Sequence, residues 1–134
     1  MLRSAWTLFI RERGARFVLA TPAVRILVAI EPYMYRQVLA FHFRQERPLA
    51  DVVLASSGSL WNEARRTKPH LIFASEVPQE LKETGVYWVE VSTDDGLVAT
   101  ISADGYSTTI DDVSLQDLLA VVDKAQEEIA HDDD

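Results

Sequence analysis

Few side chains of this 134-residue chain carry chemistry by type and spacing. Glu31, Ser75 and Glu76 each follow a short aliphatic run that reads as a strand of a parallel sheet. Two carboxylates and a hydroxyl then sit at the carboxyl ends of neighbouring strands, where open α/β sheets bind ligands. Such a trio can hold a divalent cation weakly, but ordinary solvated strand-end residues are the better account. Ser57, Gly58 and Ser59 stand at the start of a helical pattern, where backbone N–H groups can contact an anion. Plain capping is the simpler account, because the stretch has neither the lysine nor the glycine spacing of a phosphate-binding loop. His42, His70 and His131 share no metal-ligand spacing, so structural roles are expected for them. No serine lies in a G-x-S-x-G elbow, and the chain has no cysteine, which removes thiolate metal sites, cysteine nucleophiles and disulfide scaffolds. No enzymatic activity and no cofactor are expected; weak Mg²⁺ binding at Glu31 stays open.

With 48% hydrophobic and 25% charged residues, the composition suits one compact globular domain. Charge is divided along the chain. Residues 1–68 hold 11 Lys+Arg against 5 Asp+Glu, whereas residues 69–134 hold 2 against 16. The basic half interleaves arginines with Trp6, Phe17, Tyr33 and Tyr35, a combination found on nucleic-acid surfaces, yet no recognition helix is evident. Solvated arginines on the first two helices, and no nucleic-acid partner, are the expectation. The aliphatic runs fall far short of the roughly 20 residues of a membrane span. Arg11, Glu12, Arg13 and Arg16 interrupt the only stretch resembling a secretory signal, so no membrane association and a cytoplasmic location are expected.

The elements that position these residues are readable from periodicity. Residues 1–23 form an extension or arm of mixed character, 24–130 the folded domain and 131–134 an acidic tail. Residues 25–30 are a continuous β-branched and aliphatic run, as for a strand covered on both faces. Pro32 then opens a helix reaching Glu46, whose positions Tyr35, Val38, Leu39 and His42 predict the face that packs on the sheet. A second strand at 51–55, a helix at 60–67, a third strand at 71–74 and a helical turn at 79–83 closed by Gly85 follow. That βαβαβ order predicts right-handed parallel connections. From residue 87 the period becomes two, and the turn signals Asp94-Asp95-Gly96 and Asp104-Gly105 predict hairpins over 86–110. Ser114, with Asp117 three residues on, caps a final amphipathic helix.

Taken together, Arg25-Ile26-Leu27-Val28-Ala29-Ile30-Glu31-Pro32, Arg36-Gln37-Val38-Leu39, Pro48 before Asp51-Val52-Val53-Leu54-Ala55, Lys68-Pro69-His70-Leu71-Ile72-Phe73-Ala74 and Val113-Ser114-Leu115-Gln116-Asp117-Leu118-Leu119 resemble a response-regulator receiver domain of two-component signal transduction. The resemblance spans residues 24–130 and is poor over 76–112. It implies an α/β, flavodoxin-like three-layer sandwich with a central, mostly parallel sheet, in which the hairpin region replaces a helix. In such domains an acidic pair holds Mg²⁺, an aspartate takes a phosphoryl group, and a hydroxyl and a lysine sense it. Here Ile30 and Glu31 stand for the acidic pair and Ser75 for the phosphoacceptor. No lysine occurs between Lys82 and Lys124, and Thr109 or Ile110 is nearest to the sensor position. Glu31, Ser75 and Glu76 would therefore be a vestigial pocket in a degenerate receiver.

The implied function is a phosphorylation-independent signalling or protein–protein interaction module. The alternative is a small-ligand or nucleotide-binding module that uses the strand ends near Glu31, Ser57 and Ser75. A protein partner is expected without its identity, and a homodimer is plausible through apolar surface on the last helix or the N-terminal arm. The charge division predicts two oppositely charged surfaces and salt-sensitive association.

Overall fold

A computed structural model describes residues 23–94, 96–103 and 105–132, with side chains as far as Ala130. The predicted arm lies outside the described residues except for Ala23, as do Asp95, Asp104 and the last two residues of the acidic tail. The elements are β1 (Arg25–Ala29), α1 (Tyr33–Glu46), β2 (Asp51–Leu54), a 3₁₀ turn (Ser57–Ser59), α2 (Leu60–Thr67), β3 (Leu71–Ala74), α3 (Gln79–Lys82), β4 (Tyr87–Ser92), β5 (Val98–Ala103), β6 (Tyr106–Asp111) and α4 (Leu115–Asp132). No helix among the described residues is long and apolar enough to cross a membrane.

The six strands form one open sheet in the order β2-β1-β3-β4-β5-β6. Strands β2, β1, β3 and β4 are parallel, while β4, β5 and β6 form an antiparallel meander. The sheet is thus mixed rather than mostly parallel throughout. Connection length is the reason. The links over residues 93–97 and 104–105 are too short for a crossover, so each strand must reverse. Gly96 and Gly105 supply the positive φ of these reversals, +89° and +82°.

Alternation along β1 sends its side chains to two separate cores. Ile26 and Val28 join Phe73, Val89 and Ala99 beneath α1 and α4, whereas Leu27 and Ala29 join Ile72 and Trp88 beneath α2 and α3. Covering both faces is what makes β1 and β3 continuous apolar runs. The apolar stripe of α4, from Leu118 through Val122 to Ala125, is buried in the first of these cores. It is therefore not free surface for self-association. Ser114 starts α4 by reciprocal bonds: its Oγ accepts the Asp117 N–H at 3.1 Å, and its own N–H donates to Asp117 Oδ2 at 2.9 Å.

Helix α1 packs with a different face from the one its apolar spacing predicts. Arg36, Ala40 and Phe43 are buried, with Leu39 packed against them, while Tyr35 and Val38 are about half exposed. Two anchors set this rotation. Phe43 meets Phe73 with ring centroids 4.8 Å apart, and Arg36 Nε donates to the Ile30 carbonyl at 3.2 Å. Arg36 is accordingly not a solvated arginine. Arg44 also bonds backbone, its Nη2 capping the outer edge of the sheet at the Val52 carbonyl at 3.0 Å.

Among the described residues, the oppositely charged halves meet at a seam between the end of α1 and α4. Arg47, just beyond α1, grips Asp123 of α4 through Nε and Nη2 at 2.7 and 2.9 Å. Beside it, the Val24 N–H donates to Gln126 Oε1 at 3.1 Å, tying α4 to the start of β1.

Candidate functional site at the strand ends

Because β1 lies between β2 and β3, the chain segments leaving these three strands emerge side by side. Glu31 follows β1, Ser57 follows β2 and Ser75 follows β3. The parallel register brings them into one hydrogen-bonded cluster. Glu31 Oε2 accepts the Ser57 hydroxyl at 2.7 Å, the Ser57 N–H at 3.1 Å and Arg36 Nη2 at 2.7 Å. These donors hold the Glu31 carboxyl below its ordinary value, the Ser57 hydroxyl and N–H first and Arg36 after them, with desolvation opposing them.

Ser75 is engaged with backbone. Its Oγ accepts the Glu31 N–H at 2.8 Å and donates to the Glu31 carbonyl at 3.3 Å, which pins the turn after β1 to the end of β3. Ile30, standing for one member of the acidic pair, is buried in the core beneath α1 and α4. Glu76 is exposed and takes no part in the Glu31 cluster. The carboxylate that does order its loop is Glu90, whose Oε2 accepts the Val77 N–H at 2.9 Å and pairs with Lys82 Nζ at 3.1 Å. Lys82 in turn lies 4.4 Å over the Trp88 ring.

The possible anion contact, Ser57, Gly58 and Ser59, forms a 3₁₀ turn leading into α2. The Ser57 donors are turned to Glu31, and Ser59 Oγ accepts the Ser56 N–H at 3.2 Å. Gly58 has open space where a Cβ would stand, so no close approach requires glycine there. An internal carboxylate thus occupies both donors of Ser57.

The arrangement places a guanidinium where a cation would meet Glu31. A metal ion here must displace Arg36 and would find one carboxylate, whereas Mg²⁺ favours an octahedral set of oxygens. Among the described residues no group of three or more His, Asp or Glu side chains is placed to hold a metal. Thr109, nearest in sequence to the sensor position, lies on β6, three strands from β3 and so about 14 Å from it at ordinary strand spacing. Its Oγ1 meets Thr100 Oγ1 at 3.2 Å. His70 holds backbone: its Nδ1 accepts the Arg25 N–H at 2.9 Å, and burial, with Arg25 nearby, pushes its pKa down.

Among the described residues, open clefts lie elsewhere. One of about 590 Å³ runs between α2 and α3 past Trp61, Arg65, Lys68 and His70. Another of about 230 Å³ separates α1 from α4 near Tyr35 and Leu118, and a third of about 640 Å³ lies beside Ala23, Leu49 and Asp123. None is lined by Glu31, Ser57 or Ser75. Arg36 and Glu90 are the two charged residues that order the strand ends without having stood out in the sequence. An arginine five positions after a strand-end glutamate is the available signal for the first; alternation along β4 places the second beside Trp88.

Comparison of the chain with models of known protein families, with curated proteins and with solved structures finds no match.

Proposed function

We propose that this chain is a phosphorylation-independent signalling or protein-interaction module with a flavodoxin-like, receiver-like architecture remodelled in its second half. The observation that carries the reading is the closure of the strand ends on themselves. Glu31 is paired with Arg36 and hydrogen-bonded by Ser57, and Ser75 Oγ binds both the backbone N–H and the backbone C=O of Glu31. A hydroxyl held in this way lacks the carboxylate needed for an acyl phosphate, and the neighbouring cation is built in rather than recruited. The parallel order β2-β1-β3-β4, with α1 and α4 on one face and α2 and α3 on the other, supports the doubly wound part of the reading. Antiparallel β5 and β6 take the place of a further βα unit. A small ligand or nucleotide at this edge has less support, because the clefts described above avoid these residues.

The test is incubation with Mg²⁺ and acetyl phosphate, followed by intact-mass analysis. The expected result is an unmodified chain; stable phosphate on a carboxylate overturns the reading. The feature that supports an interaction is the division of charge along the sequence, 11 Lys+Arg against 5 Asp+Glu over residues 1–68 and 2 against 16 over residues 69–134. Binding of a charged protein partner weakens as ionic strength rises. Binding that ignores salt leaves the charge division without a role in recognition.

A further inference from the structure

On the face of the sheet that carries α2 and α3, the roof is incomplete. Helix α3 is a single turn of four residues, Gln79–Lys82, and cannot run along the eight residues of α2, Leu60–Thr67. The cleft of about 590 Å³ lies in the space left between them, at the amino ends of β3 and β4. Its floor is apolar, with Ala64, Ile72 and Leu81 buried beneath it. Its α2 wall is Trp61, Arg65 and Lys68, which stand at i, i+4 and i+7 and so share one side of the helix over about 10 Å. Both charged residues lining the cleft are cations, in a chain of net charge -8. Among the described residues neither Arg65 nor Lys68 has an ion pair or a side-chain hydrogen bond, whereas Arg66 between them is paired with Glu63. The loop carrying Lys68 and His70 is held in place by Arg25: its Nε donates to the Thr67 and Lys68 carbonyls at 3.1 and 3.0 Å, and its backbone N–H donates to His70 Nδ1 at 2.9 Å. With Nδ1 as acceptor, the neutral ring carries its proton on Nε2, where it can donate. Lys68 stands at φ +50°, the left-handed position that glycine usually takes after a helix, so an ammonium is placed here against backbone preference.

We propose that this cleft binds a small aromatic acid, a carboxylate or phosphate carried on a planar apolar body. The body lies against the Trp61 ring, which is 41% exposed, and over Ile72; the acid group sits between Arg65 and Lys68 with His70 Nε2–H as a third donor. Volume and lining agree with this class, since small-molecule sites are mostly apolar clefts of about 300–1,000 Å³ with a few convergent polar groups. Charge complementarity selects an anion: a neutral guest leaves two unpaired cations beside it, and no acidic side chain lines the cleft to take them. The apolar floor disfavours a bare inorganic anion, which would lose hydration there without replacing it. A nucleic-acid strand is disfavoured as well, because two free cations are few against the repulsion of a strongly acidic chain. Cations at the end of α2 also suit the helix dipole, but the dipole accounts for neither the aromatic wall nor the left-handed lysine. The cleft is at the opposite edge of the sheet from Glu31, so the proposal stands apart from the strand-end reading.

The experiment titrates the full chain with naphthoate and with naphthyl phosphate, followed by proton–nitrogen NMR, with naphthol as the neutral analogue and acetate as the acid without the body. Saturable shifts are expected at the Trp61 indole N–H and at the amides of Lys68, His70 and Gly85, with a dissociation constant on the order of 0.1 mM. Naphthol and acetate should each bind at least about tenfold more weakly. Replacing both cations, Arg65→Gln with Lys68→Gln, should weaken naphthoate about tenfold and leave naphthol as it was, while Trp61→Ala should weaken both. All three side chains are exposed, so folding survives, which an unchanged amide spectrum away from the cleft verifies. Arg66→Gln, on the same helix, is the control that leaves binding intact. Binding of either acid supports the site, and the tighter of the two identifies the acid group it is built for. No saturable shift at the cleft up to about 5 mM ligand overturns the proposal. So does naphthol binding as tightly as naphthoate, or a double variant no weaker than Arg66→Gln, since either result removes the acid group from recognition. Shifts confined to Glu31, Ser57 and Ser75 overturn it in favour of a ligand at the strand ends.

Discussion

Arg36 Nη2 lies 2.7 Å from Glu31 Oε2, with the Arg36 side chain 10% exposed and that of Glu31 42% exposed. The ion pair is therefore half solvated, and screening limits its worth. The stronger role of Arg36 is its Nε, which satisfies the Ile30 carbonyl at the end of β1. Replacing Arg36 by Met should cost about 1–3 kcal/mol, chiefly through that unpaired carbonyl. Arg36→Lys should not restore the loss, since an ammonium lacks the planar fork that reaches both acceptors. Urea unfolding decides it: an unchanged midpoint in Arg36→Met removes Arg36 from the account of this end of the sheet.

The same cluster sets an acid limit. Folding lowers the Glu31 pKa from its ordinary 4.5, so the folded chain binds that proton less readily than the unfolded chain. The resulting stability is fully present above the unfolded value and is lost as pH falls through the folded one. Asp123, lowered from 3.8 by its bond with Arg47, acts in the same direction over a lower range. Glu31→Gln should flatten the loss of stability below about pH 4.5, as read from urea midpoints between about pH 3 and pH 7. Equal slopes in the variant and the wild type would exclude Glu31 as a source of the acid limb.

His70 gives an earlier step with the same sign. Burial lowers its pKa from 6.5, so its neutral form is favoured in the fold and stability declines as pH falls below that value. Gln at position 70 keeps an acceptor for the Arg25 N–H without titrating. The variant should lose the step that begins near pH 6.5, and persistence of that step assigns it to another group.

Arg47 and Asp123 form the bidentate seam between the two charged halves, with side chains 35% and 48% exposed. A double-mutant cycle on Arg47→Ala and Asp123→Ala should return a coupling of about 0.5–1 kcal/mol, falling with salt. A coupling of zero makes the pair a contact without energetic weight.

Phe43 is fully buried against Phe73. Phe43→Ala should cost about 3–5 kcal/mol, enough to unfold a marginal domain of this size. The milder Phe43→Leu keeps the chain measurable if the alanine variant does not fold. A thermal midpoint unchanged in both would show that α1 is not anchored at this contact.

The contrast between α1 and α4 explains what could be read in advance. In α4 the apolar residues lie on one stripe and Ser114 with Asp117 marks its start, so both the helix and its buried face were legible. Helix α1 has apolar residues around much of its circumference, and periodicity cannot rank two apolar faces. The choice falls to tertiary partners, Phe73 and the Ile30 carbonyl, that lie outside the helix. The antiparallel turn of the sheet was legible at Asp94 to Gly96 and at Gly105, because short glycine-bearing links forbid crossovers. At the strand ends, the positions of Glu31, Ser57 and Ser75 followed from strand order alone. That they bind one another, with Arg36 as the counter-charge, is a matter of side-chain reach that spacing does not encode.

The tie from Arg47 to Asp123 spans 76 positions of sequence, and the bond from Val24 to Gln126 spans 102. Helix α4 is also what covers Val89, Ala99 and Val113 on its side of the sheet. During synthesis, then, the arginine-rich half of the chain is made long before the acids that offset it. The first core can be sealed only when α4 has emerged from the ribosome. Until that moment the nascent chain presents a half-covered sheet, and the arrival of α4 both seals the core and deepens the net charge from -2 over residues 1–114 to -8 over all 134.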